Sequence, residues 1–346
     1  MFTALLIAGG LALLFVGGEI LVRGSVGVAR KAGMSELVIG LTLVGFGTSL
    51  PELVTSLDAL DSGAVGLSIG NVVGSNVANI MLVIGAAAFV RAFATSPRAL
   101  ARDGLVMVMV TLIFVALVWF DQFTRLTGII LVAILLTYLL SSIILDRRAE
   151  SAAGAVHGGE AEEFDSDDPL WLSIVLTAGG IAGVIFGAQW LVDGGSTAAR
   201  ALGVSEAVIG LSILAIGTSL PELVTSIMAA RKGKADVALG NVLGSNVFNV
   251  LGIVGVSAIV FPFSIAGDGH VLGTLPLDVA AMQYGLASSL VTWTDIGALA
   301  LSIFLLALFA FTGRKLARWE GAILLISYFT YLGLRFDLLT IFGGGA

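Results

Sequence analysis

The sequence predicts an all-α integral membrane protein with ten transmembrane helices in two inverted five-helix repeats. Three observations carry that prediction: 58% apolar against 12% charged residues, a segment that recurs at an offset of 170 positions, and basic residues gathered in alternate loops.

Soluble domains are about 45–50% apolar and about 25% charged, so this composition belongs to a chain that meets lipid. A helix needs about 20 mostly apolar residues to cross the roughly 30 Å hydrocarbon core. Runs of that kind lie near residues 3–22, 36–60, 66–90, 104–120, 126–145, 170–192, 206–230, 237–261, 294–313 and 319–336. The first run lacks the basic flank of a secretory signal and is read as a retained span.

Lys and Arg set orientation, because short basic loops stay cytoplasmic. Arg23, Arg30 and Lys31; Arg91, Arg98 and Arg102; Arg147 and Arg148; Arg231, Lys232 and Lys234; and Arg314, Lys315 and Arg318 fall in alternate loops. Only Arg125, Arg200 and Arg335 fall on the other side. Ten spans with both termini extracytoplasmic satisfy that segregation, in a multi-pass protein of the cell membrane.

Residues 35–85 align without a gap to residues 205–255, with 27 of 51 positions identical. The first copy contains Gly-Thr-Ser-Leu-Pro-Glu at 47–52 and Gly-Asn-Val-Val-Gly-Ser-Asn-Val-Ala-Asn at 70–79. The second contains Gly-Thr-Ser-Leu-Pro-Glu at 217–222 and Gly-Asn-Val-Leu-Gly-Ser-Asn-Val-Phe-Asn at 240–249. Each copy belongs to a block of five spans, and an odd number makes the second block enter the membrane from the opposite side. Inverted repeats of this kind build secondary transporters, with the site near the midplane between the copies.

The blocks are residues 1–145 and 170–346. Between them, 146–169 reads as an acidic cytoplasmic linker, with Glu150, Glu160, Glu162, Glu163, Asp165, Asp167 and Asp168 but no basic residue after Arg148. Its spacing is not that of an EF-hand loop. Residues 262–293 read as an outer loop, with a short interfacial helix as one option.

Glu52 and Glu222 each lie inside an apolar run, where an unrelieved charge costs about 3 kcal/mol on insertion scales. A bound cation relieves that cost directly, and two facing carboxylates supply the hard oxygen ligands that calcium requires. Pro51 and Pro221 lack an amide donor and interrupt the helix in mid-membrane, where irregular backbone is tolerated if it lines a watery cavity. There Gly45 and Ala215 can offer carbonyls, and Thr48, Ser49, Thr218 and Ser219 hydroxyls. Ser75 with Asn79, and Ser245 with Asn249, are four residues apart and share one helix face. The expected metal set is therefore Glu52, Glu222, Thr48, Ser49, Thr218, Ser219, Ser75, Asn79, Ser245, Asn249, Gly45 and Ala215.

Structural readings stand beside these. Ser-x-x-Glu at 49–52 and 219–222 is also an N-terminal capping box. Small polar residues in membranes also hydrogen-bond between helices, which covers Ser75, Asn79, Ser245 and Asn249; for Asn71, Asn76, Asn241 and Asn246, packing or relief of a kink is at least as good a reading. Glu19 aligns with Gln189, so its charge is not needed twice and a structural or vestibular place suits it. Asp103 and Asp295, each at the start of a span, read as interface anchors.

Several function classes are excluded. The chain has no cysteine, so disulfides and thiolate chemistry are absent, and its two histidines, His157 and His270, fall in expected loops. The formal net charge of −7 leaves no basic face for nucleic acid. No Ser-His, Asp-Asp or His-Glu-x-x-His arrangement supports an enzyme. No cofactor and no obligate protein partner are expected; a hard cation such as calcium, and lipid, are.

Gly-Thr-Ser-Leu-Pro-Glu followed by Gly-Asn-x-x-Gly-Ser-Asn, twice, resembles the alpha-repeats of the sodium/calcium exchanger family within the cation/calcium antiporter superfamily. The resemblance implies an antiporter exchanging Na⁺ for Ca²⁺ by alternating access through overlapping sites near Glu52 and Glu222, with the residues named above as ligands. An H⁺/Ca²⁺ or other divalent-cation exchanger is the alternative, and a channel would need uncoupled current. Two departures from the family pattern bear on the site. Gly45 stands where the second copy has Ala215 and is expected to loosen the local backbone. Asn249 stands where relatives, notably the potassium-dependent branch, often carry aspartate, which leaves two formal negative charges.

Overall fold

The structure is a computed structural model that describes residues 2–94, 97–156, 168–202, 215–265, 293–313 and 315–335. His157, His270, Arg314, the acidic residues from Glu160 to Asp167 and most of the expected 262–293 loop lie outside the described residues, as does the start of the expected span at 206.

The described chain is helical. In order it forms α1 (Phe2–Ala32), α2 (Glu36–Thr48), α3 (Leu50–Asp61), α4 (Val65–Val90), α5 (Pro97–Phe120), α6 (Arg125–Val156), α7 (Leu170–Ala201), the turn α8 (Ala215–Gly217), α9 (Leu220–Arg231), α10 (Ala235–Val260), α11 (Trp293–Gly313) and α12 (Arg318–Arg335). Two short strands, β1 (Phe93–Ala94) and β2 (Lys315–Leu316), pair antiparallel. Among the described residues six helices are long and apolar enough to cross a membrane, and the bent pair α2–α3 brings the number to seven. Their outward faces are apolar: Leu5, Phe15, Trp119, Leu140, Phe186 and Ile326 are all exposed, while Glu52, Glu222, Asn79, Asn241 and Asn249 are buried. That inversion of the soluble pattern suits a multi-pass membrane protein.

α1, α6 and α7 run past the expected span ends at 22, 145 and 192. For α6 this places Asp146, assigned to the linker by sequence, inside a helix. Its carboxylate accepts from the Ser35 backbone N–H at 2.7 Å and from the Ser35 hydroxyl at 2.8 Å. Ser35 caps α2 in turn, its Oγ accepting from the Val38 amide at 3.3 Å. Asp146 thereby fixes where α2 begins.

Glycine sets the closest helix contacts. On α1, Gly10, Gly17 and Gly24 recur every seven residues; on α7, Gly180, Gly187 and Gly194 do the same. A Cβ at Gly10 would meet Leu191 N at 2.7 Å, one at Gly17 would meet Val184 N at 2.8 Å, and one at Gly24 would meet Thr177 N at 2.5 Å. As one number rises the other falls, so α1 and α7 run antiparallel, backbone against backbone. α2 and α10 also touch through backbone, but in parallel: Gly40 abuts Val237 and Gly45 abuts Ser245. A Cβ at Gly244 would overlap the Leu41 carbonyl oxygen. Gly45 is therefore a point of close approach, not the loosened backbone expected from sequence.

The turns that join each motif helix to the next repeat as well. Gly63 (φ 77°) and Gly233 (φ 75°), 170 positions apart, adopt the left-handed conformation that glycine reaches without penalty.

Asp103 and Asp295, read from sequence as interface anchors, are buried in side-chain clusters. Asp103 accepts from Tyr138 Oη at 3.2 Å and from both Nε and an Nη of Arg102 at 2.9 Å. Asp295 accepts from Tyr331 Oη and Arg335 Nε, each at 2.8 Å. Each cluster ties a helix to its successor, α5 to α6 and α11 to α12.

Candidate ion site between the two motif copies

The site begins with a backbone break that occurs twice. Ser49 (φ −87°, ψ 8°) and Ser219 (φ −90°, ψ 5°) sit in the sparsely populated bridge region, each directly before a helix with proline in its first turn. The proline ring has no N–H to continue the preceding helix. At the first break the axis turns by 42° between α2 and α3. Glu52 and Glu222 follow in the first turn of the new helix and are both 0% exposed.

Neither serine caps its own helix with its side chain, so the capping-box reading is not realised. Ser49 Oγ instead donates to Glu222 Oε1 at 2.9 Å, across the repeat boundary. Further bonds cross the same boundary. Thr48 Oγ1 donates to Asn241 Oδ1 at 3.2 Å and to its own helix at Val44 O, 3.1 Å. Ser245 Oγ donates to the Gly45 carbonyl at 3.2 Å. Asn249 Nδ2 donates to Ser75 Oγ at 2.9 Å and Asn76 Oδ1 at 3.1 Å, and Asn79 Nδ2 donates to Asn246 Oδ1 at 3.4 Å.

The structure thus brings Gly45, Thr48, Ser49, Ser75 and Asn79 of the first copy together with Glu222, Ser245 and Asn249 of the second. Glu52 lies close enough to Glu222 for their charges to interact. Ser219 is buried beside them at the head of α9, and its Oγ makes no hydrogen bond among the described residues. Thr218 is half-buried and Ala215 opens the turn α8, but neither is joined to the cross-repeat network by a bond described here.

The acceptor-only oxygens left over are carboxylate and amide oxygens. Both carboxylate oxygens of Glu52, Oε2 of Glu222, and Oδ1 of Asn79 and Asn249 are buried without a hydrogen-bond partner among the described residues. A buried acceptor that finds no donor costs roughly 1–3 kcal/mol, and a charged one more. A set of five hard oxygens, three of them from two carboxylates, is a set that a hard cation satisfies.

Four residues of this arrangement lie outside the expected ligand set, and two of them, Asn71 and Asn241, take the packing role that their sequence reading allows. Asn71 Nδ2 donates to the Glu52 carbonyl at 3.0 Å and to Ser56 Oγ at 2.9 Å. Asn241 repeats this with the Glu222 carbonyl at 3.4 Å and Ser226 Oγ at 3.0 Å. Each asparagine fastens a glutamate helix to the helix that follows. All four side chains are identical between the copies, which was the available signal. A second feature had none: α4 and α10 each open into a π-helical turn that begins at the ligand asparagine, Asn79–Ile84 and Asn249–Val254. Such turns are rare and gather at functional sites.

Comparison with known proteins places nearly the whole chain among exchangers. A family model described as sodium/calcium exchanger protein matches residues 2–144 and 172–336. The putative antiporter CaxA of Alkalimonas amylolytica is 34% identical, over 95% of this chain and 97% of its own. The sodium/calcium exchanger MaX1 of Methanosarcina acetivorans is 32% identical, over 94% and 96% respectively. Among solved structures, the sodium-calcium exchanger NCX_Mj soaked with zero Na⁺ and Ca²⁺ superposes with a TM-score of 0.76 at 31% identity, covering 96% of this chain and 98% of its own.

Proposed function

This chain belongs to the sodium/calcium exchanger family, and from that premise we propose that it exchanges Na⁺ for Ca²⁺ by alternating access at a site shared by Glu52 and Glu222. The observation that carries the reading is the cluster of buried, unpartnered acceptor oxygens on Glu52, Glu222, Asn79 and Asn249. Two carboxylates balance one Ca²⁺ in charge. They hold Na⁺ through the same oxygens, so the ions compete, and competition at one site converts a sodium gradient into calcium movement. Thr48, Ser49, Thr218, Ser219, Ser75 and Ser245, with the Gly45 and Ala215 carbonyls, complete the proposed ligand set. The ions are cargo, and the proposal requires no resident cofactor and no protein partner.

Alternating access follows from the repeat. The proposed architecture is ten spans in two inverted blocks, with both termini extracytoplasmic and the 146–169 segment cytoplasmic. Its support is the repeat at an offset of 170 positions, the segregation of basic residues, and the antiparallel course of α1 and α7, which occupy equivalent places in the two blocks. α1 and α7 meet backbone to backbone, whereas α1 meets α9 at Gly18 through the Met228 and Val224 side chains. In this proposal α1 and α7 move as one ribbon across the core formed by the motif helices. The loaded site, its charge balanced, permits that movement. Two facing carboxylates without a cation resist it and so suppress leak.

Radiolabelled calcium uptake into proteoliposomes, with a sodium gradient imposed at equal pH on both sides, tests the coupling. Sodium-driven uptake is expected. Uptake driven by a pH gradient and indifferent to sodium would replace this reading with proton/calcium exchange.

A further inference from the structure

We propose that Asn76 and Asn246 are positioning residues that turn the amides of Asn249 and Asn79, each in the opposite repeat, so that the amide oxygen is the atom left for the ion. The inference rests on the ion site proposed above and adds to it a device for orienting two of its ligands.

An asparagine amide is a fork with one acceptor oxygen and one nitrogen carrying two donors, of nearly equal size. Turning it over costs little in packing, so its neighbours decide which end faces the site. At Asn249 the Nδ2 group has two acceptors, Ser75 Oγ and Asn76 Oδ1. A serine hydroxyl both donates and accepts, so Ser75 tolerates either orientation. Asn76 Oδ1 only accepts. Turned over against this Asn76 oxygen, Asn249 would set one amide oxygen against another, and so the two amides are locked to one another in orientation.

The reciprocal pair obeys the same logic. Asn79 Nδ2 donates to Asn246 Oδ1, and Asn246 is itself directed by its Nδ2 contact with Met107 Sδ at 3.5 Å. A thioether sulfur accepts and never donates. Met107 on α5 therefore sets Asn246, which sets Asn79. In both halves the oriented amide leaves its Oδ1 buried with no protein donor among the described residues. Both oriented asparagines also stand at the first residue of a π-helical turn. The motif Ser-Asn-x-x-Asn then divides its labour, the first asparagine of one copy directing the second asparagine of the other.

The test is a pair of double-mutant cycles read as calcium dependence of sodium-driven uptake. Asn76→Ala is expected to raise the half-saturating calcium concentration roughly fivefold, the effect of one hydrogen bond, with the maximal rate little changed. Asn249→Ala should raise it at least as far. The double variant should match Asn249→Ala alone, because Asn76 acts through Asn249. Should Asn76→Ala not fold, the cycle of Asn246→Ala with Asn79→Ala reads the same claim independently. Penalties that add in full, or a fall in maximal rate at unchanged half-saturation, would overturn the proposal. Glu52→Gln and Glu222→Gln separate the two levels: if they keep calcium flux, the site itself is misassigned, whereas if they lose it and the cycles are additive, only the orienting role falls.

Discussion

Ser49 Oγ donates to Glu222 Oε1 at 2.9 Å, so the hydroxyl three residues before one repeat's glutamate is committed to the glutamate of the other. Its counterpart Ser219 makes no such bond among the described residues. The repeats are alike in sequence but differ in the bonds they make.

That difference is measurable. Removing a hydrogen bond to a charged acceptor costs roughly 1.5–3 kcal/mol. Ser49→Ala should lower the unfolding free energy of the purified protein by about that amount in the absence of both ions, and Ser219→Ala by much less. Equal losses in thermal denaturation would contradict the assignment.

The seam between α1 and α7 makes a prediction for two adjacent glycines. A Cβ at Gly180 would lie 2.5 Å from both the nitrogen and the Cα of Leu21, backbone atoms that cannot swing aside. One at Gly179 meets nothing within 4 Å among the described residues. Gly180→Ala should therefore cost about 3 kcal/mol or more by overpacking, with loss of monodisperse protein in size-exclusion chromatography. Gly179→Ala should behave as the parent.

Buried and exposed ion pairs should separate in the same way. Asp295 and Arg335 pair at 2.8 Å with side chains 5% and 13% exposed, and Tyr331 completes the cluster. Asp295→Asn removes the charge that balances the Arg335 guanidinium at a largely buried site, which costs on the order of 3 kcal/mol. Tyr331→Phe should cost about 1 kcal/mol. The pair Lys232–Glu19 is 30% and 52% exposed, and Lys232→Ala should change stability by less than about 1 kcal/mol. Thermal denaturation of the three variants side by side checks the order.

Much of this fold is legible in the residues because lipid imposes simple rules. Apolar runs marked the helices, and a glutamate inside such a run marked the site at 52 and again at 222. The break before each glutamate was legible from Pro51 and Pro221, since a missing amide is a local property. What escaped was non-local. Asp103 and Tyr138 are 35 residues apart, and their bond depends on how α5 lies against α6. No side-chain order dictates a π-turn at Asn79 or Asn249, where one extra residue enters the helical turn. The pairing of Asn76 with Asn249 depends on the repeats interlocking, and a single copy carries no trace of it. Glycine at position 45, taken alone, suggests a looser chain. Its use is closeness, which only the neighbouring α10 reveals.

Equilibrium calcium binding to the purified, sodium-free protein, measured by titration calorimetry for the parent, Glu52→Gln and Glu222→Gln, tests the shared site most directly. Both variants should remain folded and lose measurable calcium binding, each glutamate being necessary to the shared site. Binding that persists at parental affinity when either carboxylate is neutralised would contradict the claim that the two hold one ion between them.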